Sequence, residues 1–129
     1  MKTLALLIAV PLVLGCATPP PSASRLGGTT WHFTAIDGEA PRSDRAHMTF
    51  TRDRLSASVG CNGLGANYRL VKGRIVAGPV MSTQMYCEGM MEQERAVVQL
   101  LAAKPRITMR GTLLVLDGGG HRAELHLEE

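Results

Sequence analysis

Ile107-Thr108-Met109-Arg110-Gly111-Thr112-Leu113-Leu114-Val115-Leu116-Asp117-Gly118-Gly119-Gly120-His121-Arg122-Ala123-Glu124-Leu125-His126-Leu127 reads as three strands joined by glycine turns. Ile107 to Arg110 and Leu113 to Leu116 flank Gly111-Thr112, a two-residue loop of the kind that closes a hairpin. Beyond the Gly118 to Gly120 run the alternation is plain. Ala123, Leu125 and Leu127 fall on one face, and Glu124, His126 and Glu128 on the other. Working backward, Asn67 to Val71 and Arg74 to Ala77 flank Lys72-Gly73, a second hairpin. Trp31 to Ile36 ends at the turn-prone Asp37-Gly38, His47 to Thr51 alternates up to Arg52-Asp53, and Leu55 to Val59 continues as a further strand. The ladder these segments build is mainly antiparallel.

One stretch has the other periodicity. From Glu88 to Ala103 the residues are good helix formers, Met90, Met91, Val97, Val98 and Leu101 recur at helical spacing, and Pro105 stops the run. The expected fold is therefore α+β: a mainly antiparallel sheet with one amphipathic helix packed on it. Glu94 lies three or four residues from both apolar pairs, beside the stripe. It is either an acid, base or ligand, or a structural carboxylate paired with an arginine or capping backbone amides; the cost of burying a bare charge favours the structural role.

The N-terminus speaks to location. Lys2, the apolar run Leu4 to Leu14 and small Gly15 ahead of Cys16 have the layout of a secretory signal, too short to span a bilayer. Val13-Leu14-Gly15-Cys16 resembles the bacterial lipobox, which implies signal residues 1–15, removal before Cys16 and acylation of that cysteine. A cleaved soluble protein with an incidental Cys16 is the alternative. Ala17 stands where aspartate would signal inner-membrane retention, so the expected place is the outer membrane, facing the periplasm. Residues 16–28, rich in Pro, Ser and Ala after Cys16, read as a tether, and the domain as 29–129.

Composition bounds the partners. The 129 residues carry a net charge of +3, of which Lys2 in the leader supplies one, and the arginines are scattered without a run or an aromatic platform. Nucleic acid is not an expected partner. With aromatics at 4%, the core falls to Leu, Val, Ile, Met and Ala around Trp31, Phe33, Phe50, Tyr68 and Tyr86.

Cys61 and Cys87 remain once Cys16 is set aside. In an oxidising compartment an even pair is expected to form a disulfide, with free buried thiols or a metal pair as alternatives. Neither has a neighbouring Cys or His at ligand spacing, which speaks against zinc.

Trp31 at the start of the domain, Gly60-Cys61-Asn62-Gly63 after a strand, Tyr68, Ser82-Thr83-Gln84-Met85-Tyr86-Cys87, and Met91 with Glu94 in the helix together resemble the META domain family, which includes the HslJ-like envelope proteins. The two central motifs stand in the family's order at similar separation, across nearly the whole mature domain. The resemblance implies a curved antiparallel sheet with a helix against it. It also implies association with heat shock, antibiotic tolerance, motility or secretion, in a family with no established biochemical activity for the domain.

For the motif residues, elementary chemistry gives architectural roles. Gly60 and Gly63 are expected to permit backbone conformations that a Cβ resists, and Asn62 to bond nearby backbone in a tight bend that presents Cys61. Ser82 and Thr83 suit turn or cap hydroxyls, and Met85 a core filler. A Ser82 nucleophile needs a histidine base, and His32, His47, His121 and His126 all lie far away in sequence. Neither the histidines nor the glycine runs have metal-binding or phosphate-loop context. Two function classes stand: a noncatalytic envelope stress or integrity factor that binds an envelope protein or cell-wall component without a cofactor, and a small-ligand or inhibitor module. A free concave face would favour the second; a filled one favours the first.

Overall fold

The computed structural model describes residues 23–129 together with Pro11, Leu12 and Gly15. The signal reading, Cys16 and the first part of the tether lie outside the described residues. The folded body begins earlier than Thr29. Ala23–Leu26 forms a helical turn, α1, and Leu26 is sealed in the core.

Nine strands follow: β1 (Thr29–Ile36), β2 (His47–Phe50), β3 (Arg54–Ser58), β4 (Gly63–Val71), β5 (Arg74–Ala77), β6 (Met81–Ser82), β7 (Arg106–Arg110), β8 (Leu113–Gly118) and β9 (His121–Leu127). The long helix, α2 (Met91–Ala102), lies between β6 and β7. Each pairing is antiparallel. The order β3-β2-β1-β9-β8-β7-β5-β4-β6 is closed by β3 pairing directly with β4, so eight strands make a barrel and β6 lies outside the ring. A curved sheet is thus a correct but incomplete expectation. Closure follows from the β3–β4 register, Arg54 opposite Asn67 through Ser58 opposite Gly63, which hides the edge an open sheet would leave bare.

Alternation fills the interior. Trp31, Met48, Phe50, Leu55, Ala57, Leu64, Ala66, Tyr68, Ile75, Ile107, Leu114, Leu116, Ala123 and Leu125 all point inward and are buried. Full burial of one such large side chain stabilises by about 1.5–3 kcal/mol. In β1 the register against β9 slips between Phe33 and Ala35, leaving Thr34 as a bulge residue. That extra residue lets Trp31, Phe33 and Ile36 all face the core despite their odd spacing. The barrel's weakest join is between β5 and β7, where a single pair, Arg74 opposite Arg106, is supported by Ile75 N–H to Pro105 O and Ile107 N–H to Gly73 O.

α2 lies across one end of the barrel, touching β1, β5, β8 and β9. It starts three residues later than its sequence suggests, because Gly89 at φ +79° and a turn from Cys87 O to Met90 N occupy the stretch before it. Its inward face also differs from the apolar stripe. Val97 and Leu101 are buried as expected, joined by Ala96 and Leu100, but Met90, Met91 and Val98 are only half-buried while polar Gln93 and Glu94 turn inward. Among the described residues no helix is long and apolar enough to cross a membrane.

Candidate functional site

The motif segments meet at the end of the barrel covered by the start of α2. Val59 to Asn62 connects β3 to β4, and Gly60 sits at φ +119° where a Cβ would stand 2.6 Å from the Ser43 Cβ. Both conformation and space therefore demand glycine. Gly63 does not behave as expected: it is an ordinary strand residue with open space where a Cβ would go. Its contribution is through its backbone, whose N–H donates to Thr83 Oγ1 at 3.1 Å.

Asn62 is the hub, 2% exposed. Its Oδ1 accepts from Met85 N–H at 2.7 Å and from Thr83 Oγ1 at 2.9 Å, while its Nδ2 donates to Met85 O at 2.9 Å and to Glu94 Oε2 at 3.0 Å. Both donors and both acceptor positions of the primary amide are used. The two bonds to Met85 are those that a backbone residue opposite it would make. Where β4's pairing with β6 ends, the asparagine side chain continues the ladder for one more step.

Glu94, 6% exposed, completes the cluster from α2. Its Oε1 accepts the Asn62 N–H at 3.0 Å, so the carboxylate takes one backbone and one side-chain donor from a single residue. No arginine or lysine pairs with it among the described residues. Of the structural roles open to Glu94, the geometry selects capping of an amide. Its place in the first turn of α2 adds the favourable end of the helix dipole. Gln93 does similar work one residue earlier, accepting from Arg42 N–H at 2.8 Å and donating to Ala40 O at 2.9 Å. Nothing in the periodicity of the helix points to Gln93; a polar residue on the inward face is legible only once the loop it bonds is in place.

Cys61 and Cys87 are joined, with Cα atoms 5.9 Å apart and a sequence separation of 26. The bond ties the Gly60–Asn62 turn to the approach to α2, beside the Asn62 hub.

The remaining motif residues divide cleanly. Trp31 is a core residue whose Nε1 donates to Thr29 Oγ1. Tyr68 packs edge-on against Phe50 at 5.4 Å and donates its hydroxyl to Thr51 O at 2.7 Å; burial, with help from the Asp53 carboxylate, pushes its phenol above the ordinary value. Ser82 is exposed, its hydroxyl spent on Thr83 O at 2.7 Å. Met85 corrects an expectation. Its side chain is exposed rather than a core filler, and its backbone carries the contacts.

His121 forms a separate cluster. Nδ1 is 2.7 Å from Asp37 Oδ2 and Nε2 is 2.8 Å from Gln99 Oε1, tying the β8–β9 turn to α2 and to the end of β1. For Asp37, burial alone would raise the pKa, but the Arg122 N–H and His121 together hold the carboxyl below its usual range. Among the described residues no group of three or more His, Cys, Asp and Glu side chains is placed to hold a metal ion.

A search of curated protein sequences finds no match. By shape, the chain is similar to a protein solved by NMR at TM-score 0.74 and 17% identity, covering 82% of this chain and 94% of that one. An NMR structure of a protein from Burkholderia xenovorans aligns at TM-score 0.65 and 22% identity, covering 95% and 99%. A crystal structure of a DUF4847 family protein from Bacteroides vulgatus aligns at 0.56 and 11%, covering 81% and 95%. At these identities the likenesses speak for the fold. The sequence model of the META domain matches residues 24–129, the whole barrel and its helix. The chain belongs to the META domain family.

Proposed function

We propose that this is a noncatalytic binding protein of the bacterial envelope, anchored through lipid on Cys16 and facing the periplasm from the outer membrane. In this reading it supports envelope integrity or stress response through contact with an envelope protein or cell-wall component. One observation carries the binding role: the barrel interior is packed with side chains, and the motif residues spend their polar groups on one another, which leaves the outer surface for recognition. The alternative, a small-ligand or inhibitor module using the concave face of the sheet or the Cys61 loop, draws less support because the concave face is the filled interior.

The anchor and the role are tested together. Cys16→Ser is expected to abolish fatty-acid labelling and move the protein out of the membrane fraction; an unchanged membrane fraction would sink the anchor. Photocrosslinking from several exposed barrel positions in intact cells should capture one recurring partner. Capture that is random from all faces argues against a binding role.

A further inference from the structure

We propose that the outer edge of β6, continued through Tyr86, docks an extended peptide that carries apolar side chains at alternating positions with a lysine or arginine beside them. The inference rests on the binding role above and names its surface. Met81 and Ser82 pair with Gly65 and Leu64, Thr83 N–H donates to Gly63 O, and Met85 N–H to Asn62 Oδ1. Residues 81, 83 and 85 thus turn their backbone groups toward β4, and by strand alternation Ser82 and Gln84 turn theirs away. β6 is the strand outside the closed ring, and among the described residues nothing pairs with that far edge. Each residue from Met81 to Tyr86 is exposed.

Such edges are ordinarily blunted by charge, proline or cover. This one has no Lys, Arg or Pro between Met81 and Tyr86. It displays apolar surface instead. Met81 is 69%, Met85 56% and Tyr86 80% exposed, and within residues 23–129 the next barest large apolar side chain, Val71, is 37% exposed. The edge is also stiffened from behind, because Asn62 holds Met85 as a strand neighbour would and the Cys61–Cys87 bond fixes the exit. A preformed edge loses little freedom when a strand is added to it.

Charge decides the kind of occupant. A hollow of about 510 Å³ next to the edge is lined by Tyr86, Met90 and Met91 with Glu88 and Glu92. Neither glutamate has an ion-pair partner among the described residues, and Arg42, the cation in the hollow, lies 3.7 Å from Glu39. The hollow suits a cation beside apolar groups.

The test titrates the full chain, labelled with nitrogen-15, with a synthetic heptapeptide that alternates valine and threonine between terminal lysines. The Ser82 and Gln84 amide signals should shift, and the same peptide with terminal glutamates should bind several-fold more weakly. Ser82→Pro removes an outward N–H that β4 does not use, and should weaken binding about five-fold while the Asn62 and Glu94 signals stay in place. If that variant misfolds, Met81→Ser with Tyr86→Ser, at exposed positions, serves in its place with the same expected loss. Silence at Ser82 and Gln84 up to millimolar peptide, or undiminished binding by the folded variants, overturns the proposal. Shifts at these amides that grow with protein concentration alone also overturn it, since the occupant is then a second copy. Crosslinked capture from another face, with no peptide response here, rejects this surface and leaves the binding role intact.

Discussion

Of the polar ties that hold α2 to the rest of the fold, two differ in kind. Near its start, Glu94 is buried and bonded to Asn62. Nearer its end, Gln99 meets His121, which in turn meets Asp37, at a partly exposed site. Both ties use one helix residue, one acid and short bonds. Water makes the difference: at the first, a lost partner leaves a desolvated charge with nowhere to turn, whereas at the second solvent replaces what is removed. The two ties should therefore respond very differently to equivalent damage.

The harshest way to probe this difference is Asn62→Asp, which sets a second carboxylate where Nδ2 now stands 3.0 Å from Glu94 Oε2. Urea unfolding at pH 7 is expected to show a loss of about 4 kcal/mol. The like charges raise the folded pKa of the pair, so the loss should shrink as pH falls toward 4 and a shared proton relieves it. A deficit independent of pH would mean that the cluster is open to water.

Glu94→Gln is the milder version. An amide presents one donor to a site that offers two donors, and about 2–3 kcal/mol should be lost from the unfolding free energy. Because the group is structural, capture of a crosslinked partner by the folded variant should be unchanged. Lost capture at unchanged stability would move Glu94 to the recognition surface.

Removing the covalent backup comes next. Chain entropy assigns the loop closed by Cys61 and Cys87 about 3.5 kcal/mol, but Asn62 restrains the same corner, and Cys61→Ala with Cys87→Ala should cost about 2 kcal/mol. Thiol labelling of the denatured, unreduced wild type should find neither cysteine reactive.

At the exposed tie, His121→Ala is expected to cost under about 1 kcal/mol. Asp37 has a lowered folded pKa, so its contribution is present above the ordinary carboxylate range and fades as pH falls through the folded value. Asp37→Asn, which tolerates the φ of +51° at this position, should accordingly differ from wild type at pH 7 by an amount that shrinks as pH falls below the ordinary carboxylate range, read as urea midpoints.

The strands were legible because their information is local. Lys72-Gly73 adopts positive φ at both positions, the geometry a two-residue hairpin needs, and the residues that require it are adjacent in the chain. Barrel closure was not legible. Gly60 to Gly63 reads as a bend, but that it sets β3 directly against β4 depends on a register visible only when the partners are side by side. The helix face was misjudged for a related reason. Gln93 and Glu94 turn inward because backbone groups of Ala40, Arg42 and Asn62 arrive at the barrel mouth needing partners, and periodicity counts apolar residues without knowing which loops will meet them. The motif segments meet in space, while the division of labour inside them, with Met85 acting by backbone and Gly63 without steric need, emerges only from contacts.

The pairing of β1 with β9 governs the order of assembly. A chain emerging N-terminus first can zip β1, β2, β3 and β4 together from near neighbours, yet β1 keeps one side bare until residues 121–127 arrive. Its inward Trp31 and Phe33 gain their second wall only then. Sequence-distant pairing of this sort slows folding, because the search for the final contact spans the length of the domain. The barrel is in effect latched by its last strand, so a nascent chain stays open, pliable and unable to commit until synthesis of that strand is complete.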